Sequence, residues 1–131
     1  MRIFVLEDDR DRTDVFVKNL VGHTVVFAET ALDAISKLEA YEFDLIFLDH
    51  DLGGEQMVGT QGANTGSEVV RNMVRTYQEE AWNWPTTIVH SLNTPAAEAM
   101  QRDLETIGVD VRRIPFTRLV NLLDDPGFLS L

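Results

Sequence analysis

Residues 43–54 read F-D-L-I-F-L-D-H-D-L-G-G, and no other stretch narrows the possible folds as much. The run Leu45, Ile46, Phe47, Leu48 is too short for a helix and has no polar alternation. It predicts a strand buried on both faces, in the middle of a sheet. The run stops on Asp49, His50 and Asp51, which cannot follow Leu48 into an apolar interior without partners or a cation. Gly53 and Gly54 then release the backbone. Ligands of open α/β sheets bind outside the carboxyl ends of the strands, so Asp49 is the expected centre of a site.

The flanking sequence supplies the rest of such a sheet. Residues 2–6 predict a first buried strand closed by Glu7, Asp8 and Asp9, followed by an amphipathic helix over 11–20. A β-branched strand over 24–27 precedes a helix over 30–40, with Thr30 as N-cap and Asp33 three residues on. After the Asp49 strand come a helix over 67–79, a strand over 86–89 ending in His90, Ser91, Leu92 and Asn93, and a helix over 95–107 opened by Thr94 and Pro95. A fifth strand over 109–114 carries Arg112 and Arg113, a last helix runs from Phe116 to about Leu123, and residues 128–131 form an apolar tail. Strands alternating with helices of this length predict an α/β, doubly wound parallel sheet, in one domain over 1–131. The loop over 52–66 holds four glycines between Leu52 and Gly66 and is long for a βα connection. It is expected to be either a lid over the site or a surface insertion.

Charge and composition exclude several functions. With 22 acidic against 11 basic residues the net charge is −11, so non-specific binding to nucleic acid or to an anionic membrane is not expected. There is no cysteine, hence no disulfide, thiolate zinc site or thiol nucleophile, which suits a cytoplasmic protein. No apolar run approaches the roughly 20 residues of a membrane span, and the first residues lack the length and cleavage site of a signal peptide.

In a parallel sheet the carboxyl ends of the strands bring Glu7, Asp8, Asp9, Asp49, His50, Asp51, His90, Ser91 and Asn93 to one rim. Several carboxylates this close repel one another and normally hold a cation. Hard oxygen ligands favour Mg²⁺, and a histidine among them admits Mn²⁺. Within this set Glu7 is expected to point away from Asp8 as an edge acid, and His50, alternating with Asp49, away from the pocket.

The element order, the acidic pair Asp8-Asp9 after the first strand, F-D-L-I-F-L-D at the third, Thr65-Gly66-Ser67-Glu68 and Ile114-Pro115-Phe116 together resemble the receiver domains of bacterial response regulators. The resemblance covers nearly the whole chain and implies a flavodoxin-like strand order 2-1-3-4-5. It implies that Asp8 and Asp9 bind the metal, that Asp49 binds it and accepts a phosphoryl group, and that Asp51 occupies the position whose backbone carbonyl completes the metal shell. Ser91 answers to the hydroxyl that receivers carry at the end of strand four, and a shift of one residue would put His90 there instead.

The departures point elsewhere. Receivers carry Lys immediately before the Pro that follows strand five; here that residue is Ile114, and neither Arg112 nor Arg113 is a clean replacement by alternation. H-D-L-G-G with V-H-S-L-N on this frame resembles the divergent receiver-like group proposed to process cyclic phosphates. For that chemistry Asp49, His50, His90 and Ser91 are the expected catalytic residues, with His50 or His90 moving a proton. Arg112, Arg113 and Asn93 are the expected phosphate-binding residues. The substrate would be a phosphorylated small molecule or a nucleic-acid terminus, and the activity that of a metal-dependent phosphoesterase or phosphotransfer enzyme. The competing expectations are a signalling receiver phosphorylated on Asp49 by a histidine kinase, and a silent module that binds a protein partner. Any output would then come from another protein.

Overall fold

The computed structural model describes residues 1–129, so the last two residues of the apolar tail lie outside the described residues. The elements are β1 (Arg2–Leu6), α1 (Arg10–Asn19), β2 (Thr24–Ala28), α2 (Ala31–Ala40), β3 (Leu45–Leu48), α3 (Gly66–Glu80), β4 (Thr87–Val89), α4 (Thr94–Glu105), β5 (Val111–Arg113) and α5 (Phe116–Leu123). The five strands form one parallel sheet in the order 2-1-3-4-5, the expected topology. Among the described residues no helix is long and apolar enough to cross a membrane.

Strand alternation divides the core into two layers. Phe4, Leu6, Ile46, Leu48 and Val89 pack with side chains of α2, α3 and α4. Ile3, Val5, Leu45, Phe47 and Ile88 pack on the other face with Phe16 and Leu20 of α1 and Leu119 and Leu123 of α5. All four residues of β3 are buried, as a strand covered on both sides requires. Each large side chain removed from water here contributes about 1.5–3 kcal/mol.

The helix starts follow local capping chemistry. Thr30 accepts from the Asp33 amide at 3.1 Å, as read from the sequence. At α4 the N-cap is Asn93 rather than Thr94, its Oδ1 accepting from the Ala96 amide. β5 is shorter than the expected 109–114, because pairing with β4 spans only Val111 to Arg113. α3 begins at Gly66, where a Cβ would overlap the Asp49 carbonyl oxygen and crowd Met100. Only glycine lets this helix start against the end of β3.

Candidate functional site

The register of the sheet builds the site. Leu6 of β1 is level with Leu48 of β3, and Leu48 with Val89 of β4. The next residues, Glu7, Asp49 and His90, therefore stand side by side on three adjacent strand ends. The ladder runs one step further there: the Asp49 amide donates to the Leu6 carbonyl at 3.2 Å and the His90 amide to Leu48 at 3.0 Å. Alternation puts all three side chains on the face of Val5, Phe47 and Ile88. Each is nearly sealed from solvent, at 1%, 4% and 0% exposure. One potential ligand atom from each lies within 4.8 Å of the others.

These neighbours set one another's charge. His90 Nε2 lies 3.0 Å from Glu7 Oε1 inside the protein, and the ring packs on Phe16 and Phe116. Burial drives the His90 pKa down to about 4, against the pull of Asp49, so the ring is neutral at pH 7. A neutral ring donating from Nε2 leaves its buried Nδ1 without a partner, as observed. The second Glu7 oxygen accepts from the Asp8 and Asp9 amides, both at 3.1 Å, yet burial still raises its pKa. Burial lifts Asp49 to about 6, opposed by His90 and reinforced by the Glu7 charge, although the His50 amide donates to it at 2.8 Å. The cationic neighbour is Arg12, with Nη1 3.8 Å from Glu7 and 4.0 Å from Asp49.

The structure distributes the other expected residues differently. Glu7, expected as an edge acid, is at the centre of the cluster. Asp9 caps α1 instead, accepting from the Arg12 amide at 3.1 Å, and Asp8 lies between them with Oδ2 taking the Gly54 amide at 3.0 Å. His50 turns to the opposite face, fully buried, with Nδ1 2.8 Å from Asp51. Asp51 also accepts from the Met57 and Val58 amides and from Asn93 Nδ2. Partial burial works against that carboxylate, but the Asn93, His50 and Met57 hydrogen bonds outweigh it and hold its pKa low. Ser91 Oγ accepts from the Asn93 amide at 3.0 Å. Arg112 and Arg113 face Asp110 and Glu98, away from the cluster. Arg12 was missed by sequence reading. The signal was its four-residue spacing to Phe16 and Leu20, which sets it on the inner face of α1 one turn nearer the rim.

A cleft of about 750 Å³ opens over the cluster. Glu7, Asp8, Asp9, Arg12 and Asp49 wall one side, Ser91, Leu92 and Asn93 another, and Gly53 through Met57 with Asn64 a third; both His50 and His90 lie behind these walls. The loop over 52–65 is thus stitched into the site rather than appended to it. An antiparallel bridge between Asp51 and Thr65 closes its base. Arg71 of α3 donates to the Thr60 and Gly62 carbonyls, and Asn93 to that of Val58.

The donor set fits a divalent cation. Two buried carboxylates face one guanidinium beyond hydrogen-bonding distance, so their charge is poorly compensated. Glu7 and Asp49 supply hard oxygens, which Mg²⁺ and Mn²⁺ both accept.

A family model described as the cyclic-phosphate processing receiver domain matches residues 1–106. No curated protein matches the chain. Among solved structures, the Mn²⁺-bound form of the response regulator Rcp1 superposes with a TM-score of 0.69 at 14% identity, over 99% of this chain and 94% of that one. The response regulator domain of Thermotoga maritima CheB gives 0.63 at 18%, over 94% and 90% of the two chains. The BeF3-activated receiver domain of Klebsiella pneumoniae RstA gives 0.59 at 18%, over 99% and 92%. At these identities the likeness establishes the fold.

Proposed function

The chain belongs to the cyclic-phosphate processing receiver domains, and from that membership we propose that its cleft hydrolyses a cyclic phosphate ester with a divalent cation held at the cluster. The observation that carries this reading is the line Glu7, Asp49, His90 across three strand ends, buried, with the two carboxylates facing a cleft. Glu7 and Asp49 would hold the ion, and the Mn²⁺-bound form of Rcp1 supports a divalent ion on this fold. When bound, such an ion supplies positive charge to the phosphate and lowers the pKa of water.

The protein's own groups supply the rest. Water adds to phosphorus, the ring P–O ester bond breaks, and the departing oxygen takes up a proton, leaving a phosphate monoester. Acids on the cleft wall outside the pair that holds the ion, such as Asp8, can pass that proton. His90 lies behind the wall, so it acts as a positioning residue that fixes Glu7 through the 3.0 Å contact. His50 serves the loop through Asp51, and Asn93 joins the same loop to α4. The cleft is nucleotide-sized rather than phosphate-sized, and the exposed Met57 and Leu92 on its edge offer an apolar surface to an organic group. A nucleoside 2′,3′-cyclic phosphate has that combination. Ile114, packed beside the α1 and α5 core, leaves an Asp49 phosphoryl group without the lysine of a signalling receiver.

Phosphorus NMR of the protein with Mg²⁺ and a 2′,3′-cyclic nucleotide tests the reading, beside Asp49→Asn and Glu7→Gln. The expected result is a monoester resonance that grows with the wild type and is lost in both variants. No turnover, with an acyl phosphate forming on Asp49 from acetyl phosphate, would replace it by the signalling receiver. Neither product would leave a binding module.

A further inference from the structure

We propose that Arg12 is the group that grips the phosphate in this cleft. The inference rests on the cleft being a phosphate site, and it assigns a residue that neither Arg112 nor Arg113 can replace, since both are turned to acids outside the cleft. Among the described residues lining the cleft, Arg12 is the one basic side chain. Its guanidinium lies over the Phe116 ring, 5.1 Å from the centroid, so α5 fixes it from behind while α1 carries it from below. The side chain is 27% exposed and lines the cleft.

The distances argue against a simple internal ion pair. A guanidinium that neutralises a carboxylate closes to about 2.7–2.9 Å, usually with two parallel hydrogen bonds. Arg12 Nη1 instead stands 3.8 Å from Glu7 and 4.0 Å from Asp49, and no side-chain hydrogen bond of Arg12 forms among the described residues. Its donors are therefore uncommitted, beside two acids that would hold a cation. A phosphate held by that cation would be within reach of a planar fork matched to two of its oxygens. In an otherwise acidic cleft such a group adds to the cation's pull on an anion.

The test measures binding rather than turnover. Inorganic phosphate is titrated calorimetrically into Mg²⁺-loaded wild type, Arg12→Gln and Arg12→Lys, and Mn²⁺ affinity is read separately by electron paramagnetic resonance of the free ion. The expected result is a roughly ten- to a hundredfold loss of phosphate affinity in Arg12→Gln. Arg12→Lys should recover part of it, because a point charge is not a fork. Mn²⁺ affinity should hold or tighten, since a competing positive charge has gone. Unchanged phosphate affinity in Arg12→Gln with Mn²⁺ binding intact would overturn the inference and leave the phosphate site standing. A parallel fall in Mn²⁺ affinity would make Arg12 a structural prop and also overturn it. Wild type that binds Mn²⁺ but no phosphate would refute the phosphate site itself.

Discussion

Asp49 and His90 are buried side by side, and burial moves their pKa values in opposite directions. Asp49 rises from 3.8 to about 6, so the folded state holds its proton more tightly and stability from this group falls as pH rises between those values. His90 drops from 6.5 to about 4, so stability from this group rises with pH over that window. Each effect reaches on the order of 3 kcal/mol, and the two largely cancel between pH 4 and 6. Asp49→Asn, in which His90 and Glu7 oppose one another, should therefore gain less stability than His90→Gln on acidification from pH 7 to 5. His90→Gln, leaving the acids, should gain it, with Glu7 adding in the same sense because its pKa is also raised. Urea midpoints in chelator at the two pH values decide this; equal slopes in both variants would contradict it. A second comparison separates acids adjacent in sequence. Asp9→Ala should cost about 1 kcal/mol of α1 capping and leave Mn²⁺ affinity unchanged, whereas Glu7→Gln should abolish that affinity. Asp49 could be picked out from sequence because an apolar strand ends on it. Glu7 could not be told from Asp8 and Asp9 in a run of three acids, since only the register with Leu48 decides which of them lies level with Asp49. The same register selects His90 over Ser91 at the end of β4.

Among the elements, α3 and the loop before it tie the site to the body of the sheet. Gly66 is the contact point, and Gly66→Ala should drive a methyl group into the Asp49 carbonyl and Met100. Overpacking of this kind typically costs 1–3 kcal/mol, and here it also displaces the end of β3. A lowered urea midpoint together with weakened Mn²⁺ binding is the expected outcome; a drop in stability alone would mean that α3 moves while Asp49 stays. Asn93 fastens the other side, capping α4 and donating to Asp51 at 3.0 Å and Val58 at 2.9 Å. Asn93→Ala should leave the core folded but speed proteolysis within residues 55–63, read by mass spectrometry of the first cuts. The strands and helices could be read from sequence because apolar period and caps are local signals. Whether the loop was a lid or an insertion could not, because its fasteners are single side chains on α3 and α4, brought to it only by the fold.

Over the whole molecule, 22 acids against 11 bases make the metal-free fold repel itself, and the cleft concentrates that repulsion. A neutral Asn at position 49 removes a carboxyl that burial holds at about 6, so in chelator at pH 7 the Asp49→Asn variant should melt above the wild type. Divalent ion should invert the order. An ion that binds only the folded state stabilises it by about 2.7 kcal/mol at a hundred times its dissociation constant. For a chain of this length that is a rise in Tm of roughly 10 °C. The wild type should show that rise with Mn²⁺, and a Glu7→Gln, Asp49→Asn double variant should not. Salt discriminates the buried cluster from the acidic surface. At about 0.1 M the screening length is near 10 Å, so added NaCl should raise the Tm of every metal-free form by quieting surface acids. The cluster is nearly sealed, at 4% exposure or less, so the Mn²⁺ increment of the wild type should largely survive the salt. An increment that NaCl erases, or that the double variant shares, would place the ion on the diffuse acidic surface and remove the cluster as its site.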